Sequence, residues 1–128
     1  MLADATRNSV SLTSDSILSQ VTYAALNGMR LLQYDVETPD GWILQIWRLQ
    51  SPEIFRENLS APVLLSHSFG WSALHYMMNA RNESIAFILA DNGYDVFLTN
   101  YRGNPYSLRK MSEGKPVEPE LSDYYRCG

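Results

Sequence analysis

The sequence has few of the residues that mark disulfide-rich, metal-binding or membrane-spanning proteins. Its 128 residues include one cysteine, Cys127, and two histidines, so a disulfide framework within one chain is excluded and no metal site is expected. It has no apolar run of about 18 residues, so no transmembrane segment is expected. The formal net charge is −4 and no basic stripe alternates with aromatics, so nucleic acid is not an expected partner.

The first residues also lack the pattern of a secretory signal, which is a basic start followed by an apolar stretch. We therefore expect no signal peptide, and the compartment stays open. Residues 1–12 are mostly polar or small and are expected to be loose. Two Asn-X-Ser sequons, at Asn58 and Asn82, are glycosylation candidates only if the chain enters the secretory pathway.

The composition, with 45% apolar residues, is that of one globular domain with a modest core. Ser14 or Asp15 is the predicted N-cap of a first helix, and the pair Asn27-Gly28 ends it. Helical spacing relates its apolar residues, Ile17, Leu18, Val21, Ala24 and Ala25.

A change of period from helix to strand follows at Leu32. Residues 32–37 alternate apolar and polar side chains with Leu32, Tyr34 and Val36 on one face, as in a half-buried strand. The run Pro-Asp-Gly at 39–41 is typical of a tight turn. Residues 42–49 alternate again, so the sequence predicts an antiparallel hairpin.

A strand, a helix and a second strand are predicted next, which indicates a parallel βαβ unit. Residues 63–65 are continuously apolar, as in a strand buried on both faces. Residues 83–91 predict a helix with Asn82 as its cap and with Asn92-Gly93 at its end. Its apolar face is predicted from Ile85, Ile88 and Leu89. Strand residues follow at 94–98, whereas residues 51–60 and the tail from Ser107 are predicted to be loops.

Four runs of residues, taken in order, resemble the acid lipase family of the α/β-hydrolases, the family of gastric and lysosomal acid lipase. Residues 40–44 resemble its Asp-Gly-Tyr-Ile-Leu turn, and residues 63–68 resemble the strand that ends in its His-Gly. Residues 84–97 are similar to its Ser-Leu-Ala-Phe-x-Leu-Ala-Asp-x-Gly-Tyr-Asp-Val-Trp, and residues 100–107 to its Asn-x-Arg-Gly-Asn-x-Tyr-Ser. The match covers residues 28–110.

The resemblance implies an α/β fold: the N-terminal part of an α/β-hydrolase sheet, incomplete, in which an antiparallel hairpin precedes a parallel βαβ unit. It implies the strand order 1-2-4-3 for the first four strands. The chain then divides into a loose segment (1–12), a partial lipase domain (13–110) and an irregular tail (111–128). The implied activity is serine nucleophilic hydrolysis of a lipid ester, triacylglycerol or steryl ester, without a cofactor. The family is often secreted or lysosomal.

The resemblance also implies roles for two loops. Phe69 gives its backbone N–H to the oxyanion hole, and His67 organises that loop and is not the catalytic base. Arg102 anchors the loop after its own strand. The sequence departs from the family at Ser68, where the family has Gly, and at Phe97, which replaces a Trp.

Ser68 allows a second interpretation as the nucleophile. Residues 66–70 are one residue away from the Gly-His-Ser-x-Gly elbow of these hydrolases. Chain order argues against it, because the elbow follows the Arg-Gly-Asn strand whereas this segment precedes it. A Ser in place of the first Gly also crowds a strained turn.

In the family's chain order the nucleophile, acid and base all lie beyond Gly128, so the chain alone is expected to lack the triad and to be inactive. Three functions stay open: a fragment of a lipid-ester hydrolase, a non-catalytic lipase-like interaction module, and a small esterase that uses Ser68. Without a partner for residues 63–65 the sheet has an open edge, so self-association is expected.

Overall fold

The computed structural model describes residues 13–52 and 61–125, and one six-stranded mixed sheet organises these residues. The predictions for residues 1–12, the loop at 53–60 with Asn58, and Cys127 lie outside them. The helices are α1 (Thr13–Leu26), α2 (Ile85–Asp91) and α3 (Leu121–Tyr125), with a 3-10 helix (Ala73–Met77) before α2. The strands are β1 (Arg30–Glu37), β2 (Trp42–Gln50), β3 (Pro62–Ser66), β4 (Asp95–Thr99), β5 (Arg109–Ser112) and β6 (Lys115–Val117).

The sheet has the predicted order β1-β2-β4-β3. β1 pairs antiparallel with β2, and β2 pairs antiparallel with β4, where Trp47 lies opposite Leu98. β4 pairs parallel with β3, where Leu65 lies opposite Leu98. The α2 helix connects these two parallel strands, so the predicted βαβ unit is confirmed. β5 pairs with the first residues of β2, Trp42 and Ile43, and β6 pairs with β5.

The turn between β1 and β2 closes as its residue types predict. Gly41 has φ +87°, a left-handed conformation that glycine adopts without Cβ strain. The backbone N–H groups of Gly41 and Thr38 bond to Thr38 O and Trp42 O, each at 2.8 Å. The hydroxyl of Thr38 also accepts the N–H of Trp42 at 3.0 Å. The hairpin prediction is therefore confirmed.

The core lies between one face of the sheet and the helices. Trp47 and Leu49 from β2, Val96 and Leu98 from β4, and Phe87 from α2 are buried there. Burying a side chain of this size contributes about 1.5–3 kcal/mol, so these residues dominate the stabilisation of the sheet. The indole N–H of the buried Trp47 donates to Gln45 Oε1 at 2.7 Å, so its polar group is satisfied.

Both helix stops are confirmed and both predicted N-caps are wrong. Gly28, with φ +73°, and Gly93, with φ +87°, follow the ends of α1 and α2. Ser14 and Asp15 lie inside α1, and Ser84 instead of Asn82 precedes α2. The Ser84 hydroxyl bonds to the backbone of Asn79, which holds the preceding turn instead of capping the helix. A sequence pattern does not distinguish these two uses of a serine.

The predicted apolar face of α2 is wrong at Ile85 and Ile88, whereas Leu89 packs against the core as predicted. The predicted burial of two strands is also wrong. The buried residues of α2 are Ala86, Phe87 and Ala90, whereas Ile85 and Ile88 are exposed. Leu64, in the middle of β3, is 63% exposed. In β1, the residue buried in the core is Leu31, and the alternate residues Tyr34 and Val36 are exposed. In both strands one face packs against the core, through Leu31 in β1 and Leu65 in β3. The exposed residues Tyr34, Val36 and Leu64 lie on the other face.

The described part of the tail, up to Tyr125, contains strands and a helix. Residues 111–128 were predicted to be irregular. Glu113 and Gly114 both have positive φ, +49° and +74°, and they close the β5–β6 hairpin. Its short strands are polar, which is why alternation did not reveal them. The Met111 N–H donates to Gly41 O at 2.6 Å, and the Tyr124 ring contacts the Trp42 ring edge-on at 5.2 Å. The boundary at residue 110 remains a prediction. None of the described helices is long and apolar enough to cross a membrane.

Candidate active-site loops

The two loops singled out in the sequence lie at the same edge of the sheet. β3 and β4 are parallel and end side by side, with Ser66 opposite Thr99. We call residues 67–72, which follow β3, the Phe69 loop, and residues 100–104, which follow β4, the Arg102 loop. The imidazole Nε2 of His67 accepts the backbone N–H of Tyr101 at 3.0 Å, so the loops touch. Sites form at the carboxyl ends of strands in open α/β sheets, and both loops lie there.

His67 is a buried residue whose two ring nitrogens are both engaged. Nε2 faces the backbone N–H of Tyr101, which only donates, so Nε2 is the acceptor nitrogen. Nδ1 therefore carries the proton and donates to Ser68 O at 2.8 Å. The ring also contacts the Tyr101 ring, with centroids 4.5 Å apart. The structure thus places His67 between the two loops, with each ring nitrogen bonded to the backbone of one loop.

Phe69 lies at an exposed position of its loop. Its side chain is 95% exposed, and its N–H donates to no other described residue. The carbonyl of Ser68 accepts the N–H of Trp71 at 3.1 Å, which turns the chain back on itself. Gly70 follows with φ +79°. An unpaired N–H on an exposed turn is able to donate to an anionic oxygen of a bound molecule.

Ser68 and the second histidine are not joined to each other. The described residues give the Ser68 hydroxyl no hydrogen bond to an imidazole, and both His67 nitrogens have other partners. His75 is exposed on the 3-10 helix, where its ring contacts Trp71 and Tyr76. A serine nucleophile needs a base within hydrogen-bond reach, and this arrangement does not supply one.

Arg102 reaches away from the Phe69 loop to the β1–β2 turn. Its Nη1 lies 2.6 Å from Oδ2 of Asp40, and the guanidinium lies 5.6 Å from the centroid of the Trp42 ring. Asp40 also accepts the Thr38 hydroxyl at 2.5 Å. The Thr38 hydrogen bond, followed by the one from Arg102, holds the pKa of Asp40 below its ordinary value of 3.8.

Sequence reasoning missed the buried polar residues that join the two loops to β2. Asn100, Asn104 and Ser107 are all buried. The Ser107 hydroxyl donates to Asn100 O at 2.8 Å and accepts the Gln45 N–H at 3.0 Å. A signal for them existed, since all three belong to the matched run at 100–107, but their partners are distant in sequence.

The remaining candidate positions are not part of this edge. Asn82 is exposed and accessible, whereas Ser84 of the same sequon is buried. Among residues 13–52 and 61–125 no group of three or more His, Cys, Asp or Glu side chains is placed to hold a metal ion.

The strand order and the paired loops define the class of protein. A β1-β2-β4-β3 sheet with one parallel βαβ unit, and loops at its carboxyl edge, is the partial fold of an α/β-hydrolase. Residues 21–80 match the family model described as the partial alpha/beta-hydrolase lipase region. The resemblance found in the sequence is therefore confirmed for residues 21–80, which match this lipase region.

Similar proteins include Lipase member K of Homo sapiens, 43% identical over 90 residues, which are 69% of this chain and 22% of that protein. Lipase lipl-1 of Caenorhabditis elegans is 36% identical over 77% of this chain and 24% of its own length. Gastric triacylglycerol lipase of Rattus norvegicus is 39% identical over 75% of this chain and 24% of its own length. The chain thus spans 22 to 24% of the length of these relatives.

Proposed function

We propose that this chain is the N-terminal region of a lipid-ester hydrolase and supplies one oxyanion donor, the backbone N–H of Phe69. The observation that carries the proposal is that this N–H is unpaired among the described residues, on the loop that follows β3. One oxyanion donor of α/β-hydrolases comes from that loop. The substrate class is a triacylglycerol or steryl ester, in keeping with the gastric triacylglycerol lipases it resembles.

Ester hydrolysis requires a hydrogen-bond donor near the carbonyl oxygen of the ester, because negative charge develops on that oxygen during the reaction. A fixed backbone N–H stabilises that charge without reorganising during the reaction, and losing one such donor lowers kcat by about 10²–10³. The turn at Ser68 and Gly70 exposes the Phe69 N–H. Its exposed side chain does not bury the donor in the protein.

His67 and Arg102 are proposed to organise the loops and not to react. The two ring nitrogens of His67 hold the backbone of Ser68 and Tyr101. Arg102 holds its loop to Asp40. These hydrogen bonds are suited to fixing the backbone of each loop.

The nucleophile, the acid and the base are proposed to come from outside these 128 residues. The chain order of the family supports this, as does the lack of an imidazole partner for Ser68 among the described residues. Both observations support the proposal that Ser68 is not the nucleophile. The proposed reaction is acyl transfer to a serine hydroxyl, followed by hydrolysis of the acyl enzyme.

The test replaces the matching region of a gastric triacylglycerol lipase by residues 21–110 of this chain. The chimera is expected to hydrolyse a short-chain triacylglycerol. An amide-to-ester replacement at Phe69, which removes only the N–H, is expected to lower kcat by about 10²–10³. Phe69→Ala keeps the N–H and serves as the matched control. Equal activity of the ester variant and the chimera would refute the role of Phe69.

A non-catalytic interaction module is the second candidate, and the open edge of β3 favours it. Among the described strands β3 pairs with β4 alone, and Leu64 at its centre is exposed. An unpaired strand is a template for pairing with a second copy. Sequencing the transcript separates the candidates: a downstream Gly-His-Ser-x-Gly favours the hydrolase, and a stop codon after Gly128 favours the module.

A further inference from the structure

We propose that Asn100 and Asn104 are positioning residues that hold the Phe69 loop at both of its ends. The loop begins at His67 and leads into the 3-10 helix at Ala73. The Ala73 N–H donates to Asn100 Oδ1 at 3.0 Å, and Asn104 Nδ2 lies 3.2 Å from His67 Nε2. The two amides bond to each other at 2.8 Å. This inference rests on the proposed function, because it concerns how the Phe69 N–H is held in place.

Asn100 is a rigid point of attachment. It lies directly after β4, and only 1% of its surface is exposed. Its backbone N–H donates to Gln45 O at 3.1 Å, and its carbonyl accepts the Ser107 hydroxyl at 2.8 Å. Its Oδ1 accepts two hydrogen bonds, whereas its buried Nδ2 has no partner in the part of the chain that the structure describes. Every hydrogen bond that the Asn100 side chain forms with the described residues is therefore accepted by Oδ1.

Asn104 makes its contacts to Asn100 and His67 through the nitrogen of its amide, whereas Asn100 uses the oxygen. Its Oδ1 accepts the Tyr106 N–H at 2.9 Å, which fixes which side of the amide is oxygen. One hydrogen of its Nδ2 points to Asn100 Oδ1 and the other to His67 Nε2. Both donors of Asn104 are thus engaged, and the nitrogen of this amide is the part that connects the two ends of the loop.

The contacts form one connected set around the loop. From Ala73 it runs through Asn100 and Asn104 to His67, and His67 Nδ1 then holds Ser68 O, directly before Phe69. Each buried polar group in the set restricts the backbone more strongly than an exposed one, because breaking the bond inside the protein leaves a group without water. The set fixes the residues on both sides of Phe69 and leaves the Phe69 N–H unbonded.

The test makes the same chemical change at both asparagines. Asn100→Asp keeps the bonded oxygen and replaces the unpartnered Nδ2 by a second oxygen, so the amide signals of Ser68, Phe69 and Trp71 are expected to move less than in Asn104→Asp. Asn104→Asp removes both donors, so these signals and the ¹⁵N shift of His67 Nε2 are expected to move and the loop order parameters to fall. Asn92→Asp, an exposed amide that binds only Ile88 O, is the control for the added charge. The measurement is ¹H–¹⁵N correlation and relaxation on the chain of 128 residues.

The same variants in the lipase chimera give a second readout if Asn104→Asp prevents the chain from folding. Asn104→Asp is expected to lower kcat about 100-fold with KM unchanged, since a small displacement of a catalytic group has that effect. Asn92→Asp, at an exposed residue outside this set of contacts, is expected to retain kcat. Equal effects of the two variants on kcat, or loop signals that stay in place in Asn104→Asp, would overturn the inference. If the Phe69 ester variant keeps full activity while Asn104→Asp still moves the loop signals, the proposed function fails and the positioning role stands.

Discussion

Arg102 and Asp40 form an ion pair across the end of the sheet, with 2.6 Å between Nη1 and Oδ2. The two residues lie 62 positions apart in the sequence, so the pair joins the Arg102 loop to the β1–β2 turn. The Thr38 hydroxyl binds the other oxygen of the same carboxylate. Both oxygens of Asp40 are therefore bonded, although half of its side chain remains exposed.

Replacing Asp40 by Asn is expected to reduce stability at neutral pH and to have no effect in acid. The Thr38 hydrogen bond, followed by Arg102, lowers the pKa of Asp40 below 3.8 in the folded chain. A lowered folded-state pKa stabilises above the unfolded value and loses that contribution as pH falls through the folded pKa. Urea unfolding of both proteins, from neutral pH to below 3.8, checks this. Glu83→Gln, at an exposed carboxylate without an ion pair among the described residues, is the control, and a difference that persists in acid contradicts the prediction.

Replacing Ser107 by Ala is expected to cost about 1–3 kcal/mol of unfolding free energy. Its hydroxyl is fully buried and bonds both Gln45 N–H and Asn100 O. The smaller side chain leaves these two backbone groups without a partner or water. The midpoint of urea unfolding measures the loss. Ser112→Ala, at an exposed position in β5, serves as the comparison, and equal effects of the two changes would disprove the role of the hydroxyl.

Gly41→Ala is expected to destabilise the chain more than Gly114→Ala. Both glycines have positive φ, so alanine costs about 1–2 kcal/mol at either position. A Cβ at Gly41 overlaps the carbonyl oxygen of Met111, whereas a Cβ at Gly114 meets nothing within 4 Å. The difference in thermal midpoints isolates this steric contact. Similar midpoints would show that the β5 strand moves aside without cost.

The isolated chain is expected to have no serine-hydrolase activity. The described residues place no imidazole on the Ser68 hydroxyl. A short-chain aryl ester and a fluorophosphonate probe measure turnover and labelling, and Ser68→Ala is expected to match the unchanged chain in both. Labelling that Ser68→Ala abolishes would restore the small-esterase interpretation.

The chain expressed alone is expected to self-associate through β3. The unpaired edge and the exposed Leu64 side chain promote pairing with a second copy. Leu64→Lys is expected to shift the population toward monomer in sedimentation velocity. Leu26→Lys, at an 81% exposed position on α1, is the matched control. A concentration-independent monomer with a sharp thermal transition would count against the open edge.

The sequence predicted the elements whose patterns are local and missed the contacts that are distant. The turn at Gly41, the helix ends at Gly28 and Gly93, and the parallel pairing of β3 with β4 were all predicted. The buried face of α2 was not predicted correctly. Ile85 and Phe87 are both apolar, and only the tertiary packing determines that Phe87 is the buried one. Two partners of His67, Tyr101 and Asn104, lie 34 and 37 residues further along the chain, so no local pattern indicated them.

The partners of β2 have a consequence for the rate of folding. β1 is adjacent in sequence, so the hairpin closes a short loop, whereas Trp47 of β2 pairs with Leu98 about fifty residues away. Contacts between distant residues slow folding, because the chain loses loop entropy before the contact stabilises it. The hairpin is thus expected to form early and to persist as an exposed template until β4 arrives. During that interval the same edge of β2 is open to a strand of another molecule, so folding yield depends on protein concentration.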